Sequence, residues 1–343
     1  MRSGDAPTVA TSGLQGRVRV MSSEISEWDA TAQEWRPPVH HKKFIFDERG
    51  RATEVDQSGT SGAVHRTQYH YDAGGRLSEV HAGPAGGQPW ITRYSYDDQD
   101  RVVRVSRTSD KGVEAFQETR SYDEQGRCTV VESLPEGLDG YGVVGSEQAY
   151  GAPGARTQTT YYDEHGRSVL SVFHDAANQI VRRVRFVRDA EGRTTLEESS
   201  IGDASPLGES ALAQLSPDDR EKMLELVRFA FDTISTKFTY NADGLVTERV
   251  TNMGRLAEDR HVYQYDEHGN SVLESWHEQT REIGFEDDGT LQAHSEHTLW
   301  HETQMTYVYD AHGNWIERVV SSRQSPDAPF TLGNVDRRVI EYY

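Results

Sequence analysis

The hexapeptide YDEHGR at residues 162–167 decides the fold, because close copies of it recur, as YDEHGN from Tyr265 and YDAHGN from Tyr309. An aromatic residue followed by Asp, with Gly three positions later, defines a family of such segments. With occasional substitutions they begin at Phe46, Tyr71, Tyr96, Tyr122, Tyr162, Arg188, Tyr240, Tyr265, Phe285 and Tyr309. Many copies are 25 or 26 residues apart, which indicates a tandem structural repeat. We count ten units, taking the step of 52 residues after Gly192 as two of them.

Each unit has the pattern of a β-hairpin. Aromatic residues alternate before the Asp, as at Tyr69 and Tyr71, and a period of two places both rings on one face of a strand. The Asp carboxylate can accept backbone N–H groups of the turn, and Gly suits the left-handed position of a type I turn with a G1 bulge. We therefore predict an all-β fold of about ten tandem antiparallel hairpins, forming a coiled or closed meander sheet.

One segment breaks the strand pattern. Ser216 and Pro217 are typical of a helix start, and apolar residues then recur at helical spacing at Met223, Leu226, Val227, Ala230 and Phe231. This predicts one inserted amphipathic α-helix at 217–231. We divide the chain into a flexible N terminus (1–13), a first half of the hairpin array (14–200), a linker with the helix (201–231) and a second half of the array (232–343). A Gly-rich stretch at 134–156 predicts a long surface loop.

Composition limits the functional classes. The net charge of −20 opposes binding to nucleic acid or to anionic membranes, and suits a cationic partner or simple solubility. The single Cys128 excludes an internal disulfide framework. The sequence shows no signal peptide or membrane-spanning run, so we expect no membrane insertion and a cytoplasmic protein, or a secreted one if an export signal was removed.

The repeated Tyr-Asp-x-x-Gly-Arg motif resembles the YD or Rhs repeat of bacterial Rhs and toxin-complex proteins and of teneurins, from Phe46 to about Val320. In large Rhs proteins the resemblance implies a spiralling β-sheet that encloses a toxin. This chain differs, since it has about ten units, lacks the Asp-Pro-x-Gly core motif, and ends in a strand-like RRVIEYY. We therefore carry over the β-repeat architecture and leave out the cage-and-toxin function.

Two sets of residues could bind ions. His294, Glu296, His297 and His301 form the densest group of potential metal ligands, although a solvated polar strand also fits this segment. Acidic residues in the motif turns predict an acidic rim that could hold Ca²⁺ or a basic protein, or simply remain solvated; they are Asp97, Asp98, Asp123, Glu124, Asp163, Glu164, Asp266 and Glu267. We assign no cofactor, apart from the option of a divalent metal. His165, His268 and His312, inside the repeated hexapeptides, are interpreted as decoration of the turns.

Aromatic residues suggest contact with a glycan or another partner, at Trp90, Trp276, Trp300, Trp315, Tyr141 and Tyr150. The same rings could equally belong to the core. No Ser nucleophile elbow, phosphate loop or dinucleotide fingerprint occurs, and no catalytic residue is assigned. We expect a non-catalytic scaffold that binds a protein or a glycan. Two alternatives stay open: an immunity-like or chaperone-like protein that binds a basic toxin, and a hydrolase that uses carboxylates on a concave sheet face.

Overall fold

The fold is described from a computed structural model. The structure describes residues 6–109, 111–112, 114–124, 128–133, 157–175, 177–202, 216–231, 233–285 and 291–343. These residues form 21 strands and one helix. The predicted all-β class, with tandem antiparallel hairpins and a single helix, is confirmed. The 134–156 loop, with Tyr141 and Tyr150, lies outside the described residues.

The chain divides into two compact units. Unit 1 comprises Met1–Ala115, Tyr265–Leu273 and Glu302–Tyr343, and unit 2 comprises Phe116–Gln264 and Glu274–His301. The strands of unit 1 are β1 (Val18–Asp29), β2 (Glu34–Trp35), β3 (His40–Phe46), β4 (Ala52–Ser58), β5 (Val64–Tyr71), β6 (Leu77–Pro84), β7 (Trp90–Tyr96), β8 (Val102–Thr108), β20 (Trp315–Arg323) and β21 (Thr331–Tyr342).

Unit 2 contains β10 (Cys128–Ser133), β11 (Thr157–Tyr162), β12 (Ser168–His174), β13 (Ile180–Arg188), β14 (Thr194–Ile201), the helix α1 (Pro217–Phe231), β15 (Thr233–Tyr240) and β16 (Val246–Met253). Four strands have residues on both sides of the division, namely β9 (Glu114–Tyr122), β17 (Ala257–Tyr265), β18 (Ser271–Phe285) and β19 (Leu291–Tyr309).

In unit 1, strands β3 to β8 pair antiparallel in chain order. Strand β1 pairs with β3 on one side and with β21 on the other, and β21 pairs with β20. The early and late strands of the chain are therefore neighbours in one sheet. In unit 2, β9 to β17 also pair antiparallel in chain order, as a meander of local hairpins requires.

Each unit has its own small core. In unit 1 the buried cluster is Leu14, Val18, Met21, Phe44, Phe46, Ala52 and Val55, and in unit 2 it is Phe173, Val181 and Val184. Full burial of a side chain such as Phe46 contributes about 2–3 kcal/mol. Backbone hydrogen bonds between neighbouring strands add to this apolar burial in both units.

Residues 6–13 contact the first motif turn, and the flexibility expected for the N terminus stays a prediction. The Val9 N–H donates to the carbonyl of Gly50 at 2.8 Å, and the Ala52 N–H donates to the carbonyl of Pro7 at 2.8 Å. Val9 also packs against the core cluster of unit 1. The first motif turn therefore holds this segment. The two lie some forty residues apart in the sequence, so local sequence does not reveal the contact.

The helix α1 begins and ends as predicted, at Pro217 and Phe231. The Ser216 hydroxyl oxygen accepts the backbone N–H of Asp219 at 3.2 Å, which confirms the N-cap. On either side of this helix, β14 pairs directly with β15. The 52-residue step is thus one hairpin with an inserted helix, and its assignment as two repeat units is wrong.

The predicted motif segment that begins at Phe285 continues into 286–290, which lie outside the described residues. Strand β18 follows the turn at 266–269 and ends at Phe285, and β19 begins at Leu291 and precedes the turn at 310–313.

Candidate functional site

The motif turn is closed by its Asp, as at Asp72. The Asp72 N–H donates to the carbonyl of Arg76 at 2.8 Å, and the Gly75 N–H donates to the carbonyl of Asp72 at 2.9 Å. The Asp72 carboxylate accepts the backbone N–H of Arg76 at 2.9 Å and its guanidinium at 2.7 Å. Gly75 has a φ of 85°, and the pairing register shifts beside it. This is the predicted type I turn with a bulge, stabilised by an ion pair within the turn.

The same Asp–Arg pair recurs in both units. A guanidinium nitrogen lies 2.7 Å from the Asp carboxylate in each of the turns that contain Asp47 and Arg51, Asp72 and Arg76, Asp97 and Arg101, Asp163 and Arg167, and Asp189 and Arg193. The backbone N–H and guanidinium of Arg76 hold the pKa of Asp72 below its ordinary value of 3.8. The guanidinium and backbone N–H of Arg101 do the same for the pKa of Asp97.

The motif Tyr joins one hairpin to the one before it. The Tyr71 hydroxyl donates to the carbonyl of Ala52 at 2.7 Å, and the Arg51 guanidinium lies 4.0 Å from the centre of the Tyr71 ring. Each contact therefore links the turn of one repeat to the Tyr of the next. The arrangement recurs in unit 1 at Tyr96, with Leu77 and Arg76, and in unit 2 at Tyr240, with Thr194 and Arg193. We call this set of contacts the tyrosine ladder.

Two turns of unit 1 use a different chemistry, because Asn replaces the motif Arg. At the turn of Asp266, the Tyr309 hydroxyl donates to the Asp266 carboxylate, and the Asn270 amide donates to that hydroxyl at 2.8 Å. The His268 ring packs on Tyr309 with 4.1 Å between ring centres. Burial alone would raise the pKa of Asp266, yet the hydrogen bonds from Tyr309 and from the turn keep it lowered. At this turn the Tyr309 hydroxyl bonds to the Asp carboxylate and the His268 ring packs on the Tyr ring, two contacts that the Arg guanidinium makes in the other turns.

The last motif turn repeats this arrangement. The Tyr342 hydroxyl donates to the Asp310 carboxylate, the Asn314 amide donates to Tyr342 at 2.8 Å, and His312 stacks on Tyr342 at 4.0 Å. His268 and His312 are therefore structural parts of two junctions, and their interpretation as turn decoration is wrong. His165 differs, because Arg167 is present in its turn and 62% of the His165 side chain is exposed.

The predicted acidic rim divides into two sets. Asp97, Asp163 and Asp266 are held by hydrogen bonds inside their own turns. The following acids, Asp98, Glu124, Glu164 and Glu267, are exposed, as is Asp123. Asp97, Asp163 and Asp266 thus serve their turns, and the acids that follow the motif Asp face solvent. Binding of Ca²⁺ or a basic protein to the rim stays a prediction.

The predicted metal site stays a prediction as well. The side chains of Glu296 and His297 are exposed, His301 is half-buried, and the side chain of His294 lies outside the described residues. Among the described residues, no group of three or more His, Cys, Asp or Glu side chains is arranged to hold a metal ion.

The predicted glycan-contact tryptophans have different surroundings. In unit 1, 36% of Trp90 is exposed and the Arg107 guanidinium lies 5.4 Å from its ring centre, whereas only 8% of Trp315 is exposed. In unit 2, Trp276 donates its indole N–H to Asp259, and Trp300 is half-buried. Of these rings, that of Trp90 is the one presented to solvent.

A polar cluster in unit 2 surrounds His261. Its two ring nitrogens lie 2.7 Å from a Glu274 carboxylate oxygen and 3.1 Å from an Asp259 oxygen, and Arg249 lies 3.6 Å from Asp259. Hydrogen bonding from His261 lowers the pKa of Glu274. Both carboxylates already contact protein groups in the cluster, and sequence pattern alone did not indicate it.

A groove of about 650 Å³ opens on unit 1. Its lining includes Val64, Val308 and Val339, which are 38%, 52% and 68% exposed. Two ion pairs border these apolar residues: Glu317 with Arg337 at 2.9 Å, and Asp56 with Arg66 at 2.7 Å. The groove was missed in the sequence, because its lining comes from strands that are distant along the chain. Alternation in β21 gave no signal, because Val335 and Val339 lie four residues apart in the strand and yet are 1% and 68% exposed.

Comparison with known proteins identifies the repeat. Residues 35–193 match the family model of the teneurin YD-shell. No curated protein matches the chain. Among the described residues, no helix is long and apolar enough to cross a membrane.

Three solved structures are similar to this chain over most of its length. A complex titled TcdB2-TccC3-Cdc42 is 14% identical over 89% of this chain and 16% of its own, with a TM-score of 0.32. A porin-like protein from Bacteroides uniformis is 10% identical over 95% of this chain and 99% of its own, with a TM-score of 0.32. The Tc holotoxin pore of Photorhabdus luminescens is 13% identical over 86% of this chain and 16% of its own, with a TM-score of 0.25. The chain thus spans about a sixth of the toxin chains, and likenesses this slight carry no argument about function.

Proposed function

Because this chain belongs to the YD-repeat family, we propose that it is a non-catalytic scaffold that binds a protein partner in the groove of unit 1. The motif residues support an architectural role. In the tyrosine ladder, the Asp, Arg and Tyr side chains of each repeat bond to the same hairpin or to its neighbour. Chemistry directed at a partner is therefore expected from residues outside the motif.

The observation that carries the proposal is the exposed apolar lining of the groove. Val308 and Val339 are 52% and 68% exposed on β19 and β21 of unit 1, which both pair with β20, although β-branched side chains in strands usually pack against other residues. Covering them would remove apolar surface from water and stabilise a complex, by about 1 kcal/mol for each side chain. An apolar centre beside charged residues is the usual composition of a protein interface.

The ion pairs beside the valines add specificity. The Glu317–Arg337 and Asp56–Arg66 pairs present both signs of charge to a partner. Charges at the rim of an interface select among partners and orient them more than they raise the affinity. We chose a protein over a glycan because none of the tryptophans lines this groove, whereas sugar sites usually offer an aromatic face.

The test compares the capture of partners from native lysate by three proteins. They are the wild type, a double groove variant that carries Val308→Asp and Val339→Asp, and a control variant, Val131→Asp. Val131 is 40% exposed on β10 of unit 2, so the control adds the same charge outside the groove. We expect one protein to be retained by the wild type and the control, and to bind the groove variant at least about tenfold more weakly. Equal capture by all three would refute the groove as the docking site. Binding to a glycan panel without a captured protein would refute the protein partner.

A further inference from the structure

Two histidines on neighbouring strands of unit 1 lie in contact, and we call them the imidazole pair. They are His70 on β5 and His81 on β6, and their ring centres are 4.5 Å apart, with the ring planes inclined at 54°. In the strand pairing, His70 is directly opposite Glu79. Directly paired residues share a face of the sheet, and every second residue of a strand returns to that face. The side chains of His70, Glu79 and His81 therefore lie on one face.

Glu79 orients the ring of His81. One Glu79 carboxylate oxygen lies 2.8 Å from Nε2 of His81, and the hydrogen bond from His81 is the main cause of the lowered pKa of Glu79. The other oxygen accepts the Nε–H of Arg93 at 3.0 Å. Glu79 is therefore an ionised acceptor, so Nε2 carries the proton of the neutral His81 ring. The lone pair of Nδ1 is left for another ligand.

The other ring nitrogens of the imidazole pair are free to bind a ligand. Among the described residues, Nδ1 of His81 and both ring nitrogens of His70 have no hydrogen bond and no ion pair. His70 is exposed, and 27% of the His81 side chain is exposed. A small solute can therefore reach both rings from solvent.

The spacing of the rings fits two imidazoles on one metal ion. A metal–nitrogen bond is about 2.0–2.1 Å long, which places each ring centre roughly 3.2 Å from the ion. Two rings bound at a right angle are then about 4.5 Å apart, which is the separation of His70 and His81. A ligating histidine usually donates its other ring N–H to a carboxylate. Glu79, held in turn by Arg93, occupies that position beside His81.

From this geometry we infer that His70 and His81 bind one divalent transition metal ion through two imidazole nitrogens, with Glu79 positioning His81. Two protein ligands agree with the absence, among the described residues, of any group of three or more ligands arranged to hold a metal. Water would complete the coordination. Imidazole suits Cu²⁺, Ni²⁺ and Zn²⁺, whereas Mg²⁺ and Ca²⁺ prefer oxygen, and affinity is highest for Cu²⁺. None of the three residues lines the groove, so the site is independent of the proposed partner.

The probe is Cu²⁺, titrated into the full chain in a buffer that does not bind copper. Calorimetry gives the affinity, and the nitrogen couplings in the electron paramagnetic resonance spectrum count the bound imidazoles. We expect one site with two nitrogen ligands in the wild type, and no competition from Mg²⁺. His70→Ala and His81→Ala should each weaken binding at this site at least about tenfold and leave one nitrogen ligand. Glu79→Gln should weaken it about tenfold and keep both nitrogens, as expected of a positioning residue.

The matched control is His65→Ala, which removes another exposed histidine of β5 and should bind Cu²⁺ like the wild type. Circular dichroism checks that each variant is folded. The inference is overturned if the wild type has no site with two nitrogen ligands, or if Mg²⁺ displaces Cu²⁺. Equal affinity in the His70→Ala and His81→Ala double variant would mean an adventitious ion only. Unchanged affinity in Glu79→Gln would refute the positioning role.

The result is separable from the proposed function. The double groove variant is expected to lose the protein partner and to keep the Cu²⁺ site. The His70→Ala variant is expected to lose the Cu²⁺ site and to keep the partner. Failure of either proposal therefore leaves the other intact.

Discussion

Removing one hydroxyl of the tyrosine ladder should destabilise the protein by a measurable amount. In Tyr71→Phe the ring stays in place, with Arg51 at 4.0 Å from its centre. The variant loses only the hydrogen bond from the hydroxyl to the carbonyl of Ala52, which measures 2.7 Å and is partly buried. A neutral hydrogen bond of this kind contributes about 1 kcal/mol to stability. We therefore expect the free energy of unfolding to fall by about 1 kcal/mol.

The next ladder position allows a test of additivity. The Tyr96 hydroxyl donates to the carbonyl of Leu77 at 2.6 Å, so Tyr96→Phe should cost a similar amount. The two hydrogen bonds share no atom or partner, and effects at independent sites usually add. The double variant should therefore lose about 2 kcal/mol. Urea unfolding followed by tryptophan fluorescence gives these differences as shifts of the midpoint at a constant slope.

The control comes from the same strand. Tyr69 is two residues before Tyr71 and its ring is also partly buried, but its hydroxyl has no hydrogen bond among the described residues. Tyr69→Phe should leave the free energy of unfolding unchanged, because the hydroxyl that it removes makes no hydrogen bond to the described residues. If the Tyr71→Phe and Tyr96→Phe double variant shifts stability no more than Tyr69→Phe does, the ladder hydrogen bonds do not hold the hairpins together.

Three further perturbations test the turns and the helix. Gly244→Ala should cost about 1–2 kcal/mol from backbone strain alone, since its φ is 81° and a Cβ would contact nothing within 4 Å; urea unfolding measures it, and an unchanged midpoint would contradict it. Asp72 has a lowered pKa in the native state, so its stabilisation is present above its ordinary value of 3.8 and is lost as pH falls through the lowered value. Asp72→Asn should therefore lower stability at neutral pH and weaken its loss in acid, whereas parallel pH profiles would contradict that sign. Ser216→Ala should raise amide hydrogen exchange in α1 by several fold, because an N-cap contributes about 1 kcal/mol; unchanged exchange would mean that the cap adds little.

The parts of the fold that depend on neighbouring residues could be predicted from the sequence. Asp72 and Gly75 close a turn through atoms of their own segment, and the alternation at Tyr69 and Tyr71 assigns the rings to one strand face. The same holds for α1, whose cap and first turn are adjacent in sequence. The length of a connection is less informative. The 52-residue step was compatible with two hairpins or with one hairpin and a helix, and only the direct pairing of β14 with β15 decides between them.

Contacts between repeats could not be predicted from the sequence motif. The stacking of Arg51 on Tyr71 depends on how far one hairpin is offset from the next, and the spacing of the motif does not specify that offset. The functions of His268 and His312 depend on the same relation, although one signal was present: both precede Gly-Asn, whereas His165 precedes Gly-Arg. Trp315 was selected from the sequence, but its contact with Arg338 was not, because Arg338 reaches the ring from a different strand.

The two kinds of junction have a consequence for how the array can be lengthened or shortened in evolution. An Arg turn accepts a Tyr that donates to a backbone carbonyl, while an Asn turn needs a Tyr that donates to the Asp carboxylate. A hairpin duplicated next to others of its own kind brings compatible partners on both sides. If a hairpin with an Arg turn were placed next to a Tyr of the Asn type, the Arg guanidinium and the Tyr hydroxyl would compete for the same Asp carboxylate. We therefore expect the array to grow by duplication of a hairpin beside others with the same type of turn. Exchanging an Arg turn for an Asn turn should require substitutions in two adjacent hairpins.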